Sequence, residues 1–173
     1  QAQKIYDDVS SSEIDLGIVP YPKAQRNVDI IQFNEDQMVV IAPPSNPLSE
    51  KTEITPKDLA DHPLILFTPE TPTRRAIDRF FRKHGVRPNV VMELDHIATI
   101  KHAVEVDIGL SLVPSNAVEH EIARKTLHSL TFRGDPFNRQ LGILYRRGRS
   151  LSVATQKLLE VLTSGKSPIK QVA

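Results

Sequence analysis

Between Leu64 and Pro114 two patterns alternate, and few folds accommodate that alternation. Leu64 to Phe67 is a short apolar run bounded by Pro63 and Thr68. Residues 74–84 then place Ala76, Ile77, Phe80 and Phe81 at helical spacing until Gly85 stops them. Asn89 to Leu94 reads as a second strand. His96 to about Val106 reads as a second helix, with Ile97, Ile100, Ala103 and Val104 inward. Leu110 to Pro114 is a third strand. Strand, helix, strand, helix, strand implies a parallel sheet with helices packed on it. Right-handed crossovers put both helix starts, near Thr71 and Asp95, at the carboxyl edge of that sheet, where open α/β sheets bind ligands.

The flanking segments fit the same class. Ala2, Ile5, Tyr6 and Val9 recur at helical spacing. Ile14 to Val19 is mostly apolar, as in a strand buried on both faces. Val28 to Pro43 reads as two extended halves, with Asn34-Glu35-Asp36 as a turn or bulge. Pro43, Pro44 and Pro47 make a stiff connection suited to a boundary between lobes. Thr55 and Pro56 start a short helix. Residues 115–125 read as a helix, and 127–132 and 139–145 as strands separated by a break at 133–136. Residues 152–162 form an amphipathic helix, and 164–173 look like a tail.

Composition removes several function classes. At 39% hydrophobic and 25% charged, the 173 residues suit a globular protein with a real core. A net charge of +1 gives no overall basic footprint for nucleic acid. The chain has no cysteine, which excludes disulfides, thiol catalysis and cysteine-bound metals. No apolar run approaches the roughly 20 residues of a membrane span, and no signal peptide is visible. The chain starts without Met inside an apparent helix, so a fragment is expected. Glu119-His120-Glu121 with His128 lacks the paired histidines of HExxH, and His96 and His102 fall on different helix faces. GxSxG, P-loop and GxGxxG motifs are absent. The expectation is a protein that is not an enzyme and needs neither metal nor cofactor.

Five segments, in order, resemble the effector-binding part of LysR-type transcriptional regulators. They are Glu13-Ile14-Asp15-Leu16-Gly17-Ile18, Met38 through Leu48, Ile54 through Ile65, Ile108-Gly109-Leu110-Ser111-Leu112-Val113-Pro114, and Leu144-Tyr145-Arg146-Arg147-Gly148-Arg149 through Ser152. Each is weak alone; together they cover residues 13–162. Asp107 stands where the family usually has glycine, and Asp tolerates the left-handed turn that position takes. The resemblance implies two α/β lobes of the type 2 periplasmic-binding-protein kind, with mixed, mostly parallel sheets. Lobe I would be residues 1–42 plus 138–165, lobe II residues 43–137, and 166–173 a tail. It further implies that the family's first strand and helix, and its winged helix-turn-helix, are missing here. The implied protein is a cytoplasmic regulator that senses a small effector in the interlobe cleft. It forms a homodimer or homotetramer and touches DNA only through the missing N-terminal domain, with no membrane partner. A solute-binding protein of a transporter and a ligand-free dimerisation module are the alternatives.

The candidate contacts cluster at the two helix starts. Thr68, Thr71 and Thr73 surround a helix start, whose unpaired N–H groups and partial positive charge suit an anion. One threonine is needed merely as a cap. Arg74 offers a charge-assisted contact or is a solvated surface arginine, while Glu70 argues against an anion. Asp95 reads as a cap for the second helix; His96 and Ile97 stand beside it. Val19 and Pro20 end the first-lobe strand and would line the opposite wall.

Overall fold

Ala2, Ile5, Tyr6 and Val9 share one side of helix α1 (Ala2–Ser11) in the computed structural model, which describes residues 2–163. The tail expected over 166–173 and the last two residues of the expected lobe I lie outside the described residues. Backbone contacts divide the chain into two units. One holds the segments up to Glu35 and from Gln140 onward; the other is Asp36–Arg139. The chain passes between them inside two strands, β2 (Val28–Ala42) and β8 (Asn138–Arg146).

In the first unit, β1 (Leu16–Pro20) pairs antiparallel with β8, Leu16 opposite Tyr145 and Pro20 opposite Leu141. β8 lies between β1 and β2. Tyr6 and Val9 of α1 pack with Val19, Val28, Ile30 and Leu144 into one core. The Tyr6 hydroxyl accepts from Lys23 N–H at 2.7 Å, so this half-polar ring satisfies its oxygen. Helix α5 (Val153–Thr163) starts on Ser152, whose Oγ accepts from Thr155 N–H at 3.1 Å. β1 is buried on one face only. Gly17 and Val19 face α1, while Ile18, on the opposite face, is 44% exposed.

The second unit is built on β6 (Leu110–Pro114), all five residues of which are buried. β6 pairs antiparallel with β2 (Val39 opposite Val113) and parallel with β4 (Pro63–Phe67; Leu64 opposite Leu110). β4 pairs parallel with β5 (Asn89–Leu94), the edge strand, so Phe67 and Leu94 end side by side. β7 (His128–Phe132) flanks β2 antiparallel, and the two-residue β3 (Glu53–Ile54) adds parallel to β7. The continuous apolar runs of β4 and β6 are what a doubly covered parallel sheet requires. Helix α2 (Pro72–Lys83) joins β4 to β5 and helix α3 (Ile97–Glu105) joins β5 to β6. α2 buries Ala76, Ile77, Phe80 and Phe81, the face read from the sequence. The Phe80 ring stacks on Phe137 at 4.6 Å and 8°. After α3, Asp107 takes φ +61° where glycine would cost least, and its carboxylate accepts from the Ser45 hydroxyl at 3.1 Å.

Three further local expectations fail for identifiable reasons. Asn34-Glu35-Asp36 does not turn; β2 continues through it, with Asp36 buried in an ion pair to Arg139. Residues 115–125 are not one helix. A 3₁₀ turn (Ser115–Ala117) and the five-residue α4 (Glu119–Ala123) are separated by Val118 at φ −124°, outside helical range. Asp95 does not cap α3: the cap position belongs to His96, which makes no capping bond. Among the described residues no helix is long and apolar enough to cross a membrane.

Candidate binding site at the start of helix α2

The parallel pairing of β4 and β5 brings the starts of α2 and α3 to one end of the sheet. Thr68 N–H donates to Leu94 O at 3.1 Å, tying the two strand exits together. Thr71 is the N-cap of α2. Its backbone is extended (φ −77°, ψ 142°) and its Oγ1 accepts from Arg74 N–H at 3.1 Å. The same hydroxyl donates to Thr68 O at 2.9 Å, so both of its hydrogen-bonding roles are filled. Pro72 follows with no N–H to satisfy. Thr73 is 5% exposed, and its N–H has no acceptor among the described residues. Thr68 is half-buried beside it. The joint therefore offers one open helix-start N–H, with threonine hydroxyls near it, at the positive end of a twelve-residue dipole.

Arg74 is neither solvated nor free. Its side chain is 11% exposed. Nε donates to Asp78 Oδ1 at 2.9 Å; Nη1 donates to Glu93 Oε1 at 2.6 Å and to Phe67 O at 2.7 Å. Burial works to lower its pKa, but the bonds to Glu93 and Asp78 outweigh it and the net shift is upward. The Asp78 contact follows from i, i+4 spacing and was legible in the sequence; Glu93 required the β4–β5 register. Glu70 is exposed in the loop before the cap.

His96 and Ile97 stand at the start of α3. The His96 side chain is 79% exposed, with Nε2 3.7 Å from Asp95 Oδ2, and Ile97 is half-buried. Val19, fully buried, and Pro20, half-buried, end β1 in the other unit.

Sequence reasoning missed a buried polar cluster. Arg139 Nη2 donates to Asp36 Oδ2 at 2.6 Å, and Asn116 Nδ2 donates to Asp36 Oδ1 at 3.3 Å. The Asp36 side chain is 4% exposed and that of Arg139 13%. Arg139 Nε is buried without an acceptor among the described residues. The residues are 103 apart in sequence, so no local pattern announces the pair. An open groove of ≈ 560 Å³ lies elsewhere in the second unit, lined by Glu50–Thr55, Asp58 and Arg133. It holds none of the candidate residues. Four of its charged side chains are paired, Arg133 Nε with Glu53 at 3.3 Å and Lys51 with Asp58 at 3.8 Å. Among the described residues no group of three or more His, Asp or Glu is placed to hold a metal ion.

A family model described as LysR substrate binding domain matches residues 1–166. The RuBisCO operon transcriptional regulator of Allochromatium vinosum is 31% identical over 156 residues, covering 90% of this chain and 52% of that protein. The HTH-type transcriptional activator CmpR of Synechocystis is 29% identical, covering 92% of this chain and 53% of that protein. The chain thus spans about half the length of the curated relatives it matches. Among solved structures, the Synechocystis CcmR regulatory domain in complex with 2-PG aligns with a TM-score of 0.83 at 30% identity, covering 94% of this chain and 79% of that one. The effector binding domain of QuiR in complex with shikimate aligns at 0.82 with 20% identity, covering 93% and 76%, a likeness of fold.

Proposed function

Because the chain belongs to the LysR substrate binding domain family, we propose that it is the effector-sensing part of a DNA-binding transcriptional regulator. The family is one of regulator domains, not an enzyme family, and the matches leave the transporter alternative without support. The effector is a small anion whose charged group meets the Thr73 N–H and the hydroxyls of Thr68 and Thr73. The observation that carries this reading is that open N–H at the positive end of α2, beside the exits of two parallel strands. Thr71 holds the helix start in shape and Arg74 contributes charge from its ion-paired seat. His96 and Ile97 flank the effector from α3. The relative whose structure was solved in complex with 2-PG favours a ligand of that kind.

Sensing requires that the effector bind one conformation more tightly than another, and the difference sets how far the equilibrium moves. The full regulator acts in the cytoplasm as a homodimer or homotetramer, whose geometry carries the signal to a DNA-binding domain outside this chain. Calorimetry and thermal melting with 2-PG, shikimate and inorganic phosphate test the site. A saturable rise in melting temperature with one of them is expected, about 2.7 kcal/mol at 100-fold excess over Kd. Thr68→Val and Thr73→Val should weaken binding at least about tenfold, the ~1.4 kcal/mol of a lost hydrogen bond to a charged group. Unchanged affinity in both variants would move the site away from α2.

A further inference from the structure

One side chain closes the joint between β4 and α2. The chain leaves the sheet at Phe67 and enters the helix at Pro72. Arg74 grips both ends of that passage. Its N–H donates to Thr71 Oγ1 at 3.1 Å, and its Nη1 donates back to Phe67 O at 2.7 Å. The open Thr73 N–H lies within this ring, next to Arg74 in the chain. Where that N–H points therefore depends on where the guanidinium is held.

Two carboxylates hold it, and they do different things. Asp78 accepts from Nε at 2.9 Å, but it stands one turn along the same helix and moves with it. Glu93 accepts from Nη1 at 2.6 Å and belongs to β5, opposite Leu66 of β4. Of the two, only Glu93 ties Arg74 to the sheet. Nη1 has two hydrogens and gives one to Glu93 and one to Phe67 O. Removing the Glu93 carboxylate loosens the nitrogen that closes the joint.

Neither stability nor charge accounts for this contact. Glu93 is 41% exposed, and a pair with one partner so open to water adds little to folding. Its charge has the wrong sign, since a carboxylate near the seat of an anion repels it. What is left is placement. A site binds more tightly when surrounding hydrogen bonds hold its donors in the bound geometry beforehand.

We propose that Glu93 is a positioning residue of the effector site: through Arg74 it presets the Thr73 N–H for the anion without touching it. This rests on the effector reading above. Calorimetry with 2-PG and with inorganic phosphate compares the parent chain with Glu93→Met and Glu93→Gln. Met removes both charge and acceptor; Gln removes the charge and keeps an acceptor oxygen. Glu93→Met should raise Kd at least about tenfold, while Glu93→Gln stays within about threefold of the parent. A purely electrostatic role gives the opposite sign, with both variants binding more tightly. Hydrogen exchange by NMR reads the placement without any effector. In Glu93→Met the Thr71 and Arg74 amides and the Arg74 Nε–H should exchange at least about tenfold faster. The melting temperature should move by no more than about 4 °C.

An unchanged or lower Kd in Glu93→Met overturns the proposal, and so do joint amides that keep the parent's exchange rate. A fall in melting temperature above about 10 °C does the same, because the pair would then be a prop of the fold. Thr68→Val and Thr73→Val separate the two readings. If they weaken binding and Glu93→Met does not, the positioning role alone fails. Binding of neither probe by the parent sinks the effector reading, and the positioning role falls with it.

Discussion

Replacing Asp36 with Asn removes one charge from the buried pair while keeping the side chain's shape. Asp36 and Arg139 are 4% and 13% exposed in their side chains, so solvent does little to screen either. The guanidinium already has one buried nitrogen, Nε, without an acceptor among the described residues. Loss of the carboxylate leaves its charge without its 2.6 Å counter-ion. Breaking a buried pair from one side costs about 3–5 kcal/mol. At about 2–4 °C per kcal/mol for a chain of this size, melting should fall by roughly 6–20 °C. Asp36→Leu/Arg139→Met removes both charges and should recover most of that loss, because an apolar pair of similar volume need not be desolvated at a cost. Urea denaturation of the parent, Asp36→Leu, Arg139→Met and the double variant gives the coupling energy directly. A cost below about 1 kcal/mol for Asp36→Asn, the level of an exposed pair, would refute the claim that burial sets the strength of this contact.

Three further outcomes follow from other contacts. Thr71→Ala deletes the α2 cap and its bond to Thr68 O, and should cost about 1 kcal/mol in thermal or urea denaturation. A Cβ on residue 109 would lie 2.6 Å from Pro63 O, so Gly109→Ala must separate β4 from β6 and should destabilise by about 1–3 kcal/mol on the same assays. Asp58 accepts from both Thr55 Oγ1 and Thr55 N at 2.6 Å, and these bonds hold its carboxyl below the usual range. A depressed folded value means stability that is present above the unfolded pKa of about 3.9 and lost as pH falls through the folded one. The melting difference between the parent and Asp58→Asn should therefore be steady near neutrality and shrink below about pH 4.

Periodicity carried the elements that bury a face. The 3.6-residue rhythm of Ala76, Ile77, Phe80 and Phe81 and the apolar runs of β4 and β6 leave one packing arrangement, and the structure adopts it. What escaped the sequence was decided by distant partners. Asn34-Glu35-Asp36 has turn chemistry, yet Arg139 and Asn116 make a buried extended strand the better home for Asp36. Ile14 to Val19 has the composition of a strand buried on both faces, but α1 covers only the face of Gly17 and Val19 and Ile18 is left exposed, which the residues of the strand do not announce. At the α2 start the cap was legible from Thr-Pro spacing; which threonine keeps an unsatisfied N–H beside it was not. Arg74 shows the same division, since Asp78 lies one turn away and Glu93 on another strand.

The changeover between units inside β2 and β8 has a consequence for how the chain is made. Asp36–Arg139 is one uninterrupted segment, so a ribosome completes the second unit before it has supplied the first. Val28 and Ile30 emerge early but must wait for Leu144 to close their core. During that interval the nascent first unit holds apolar strand edges with no partner, the condition that invites misassembly. Vectorial synthesis thus finishes the inserted half first and leaves its host to fold around it last.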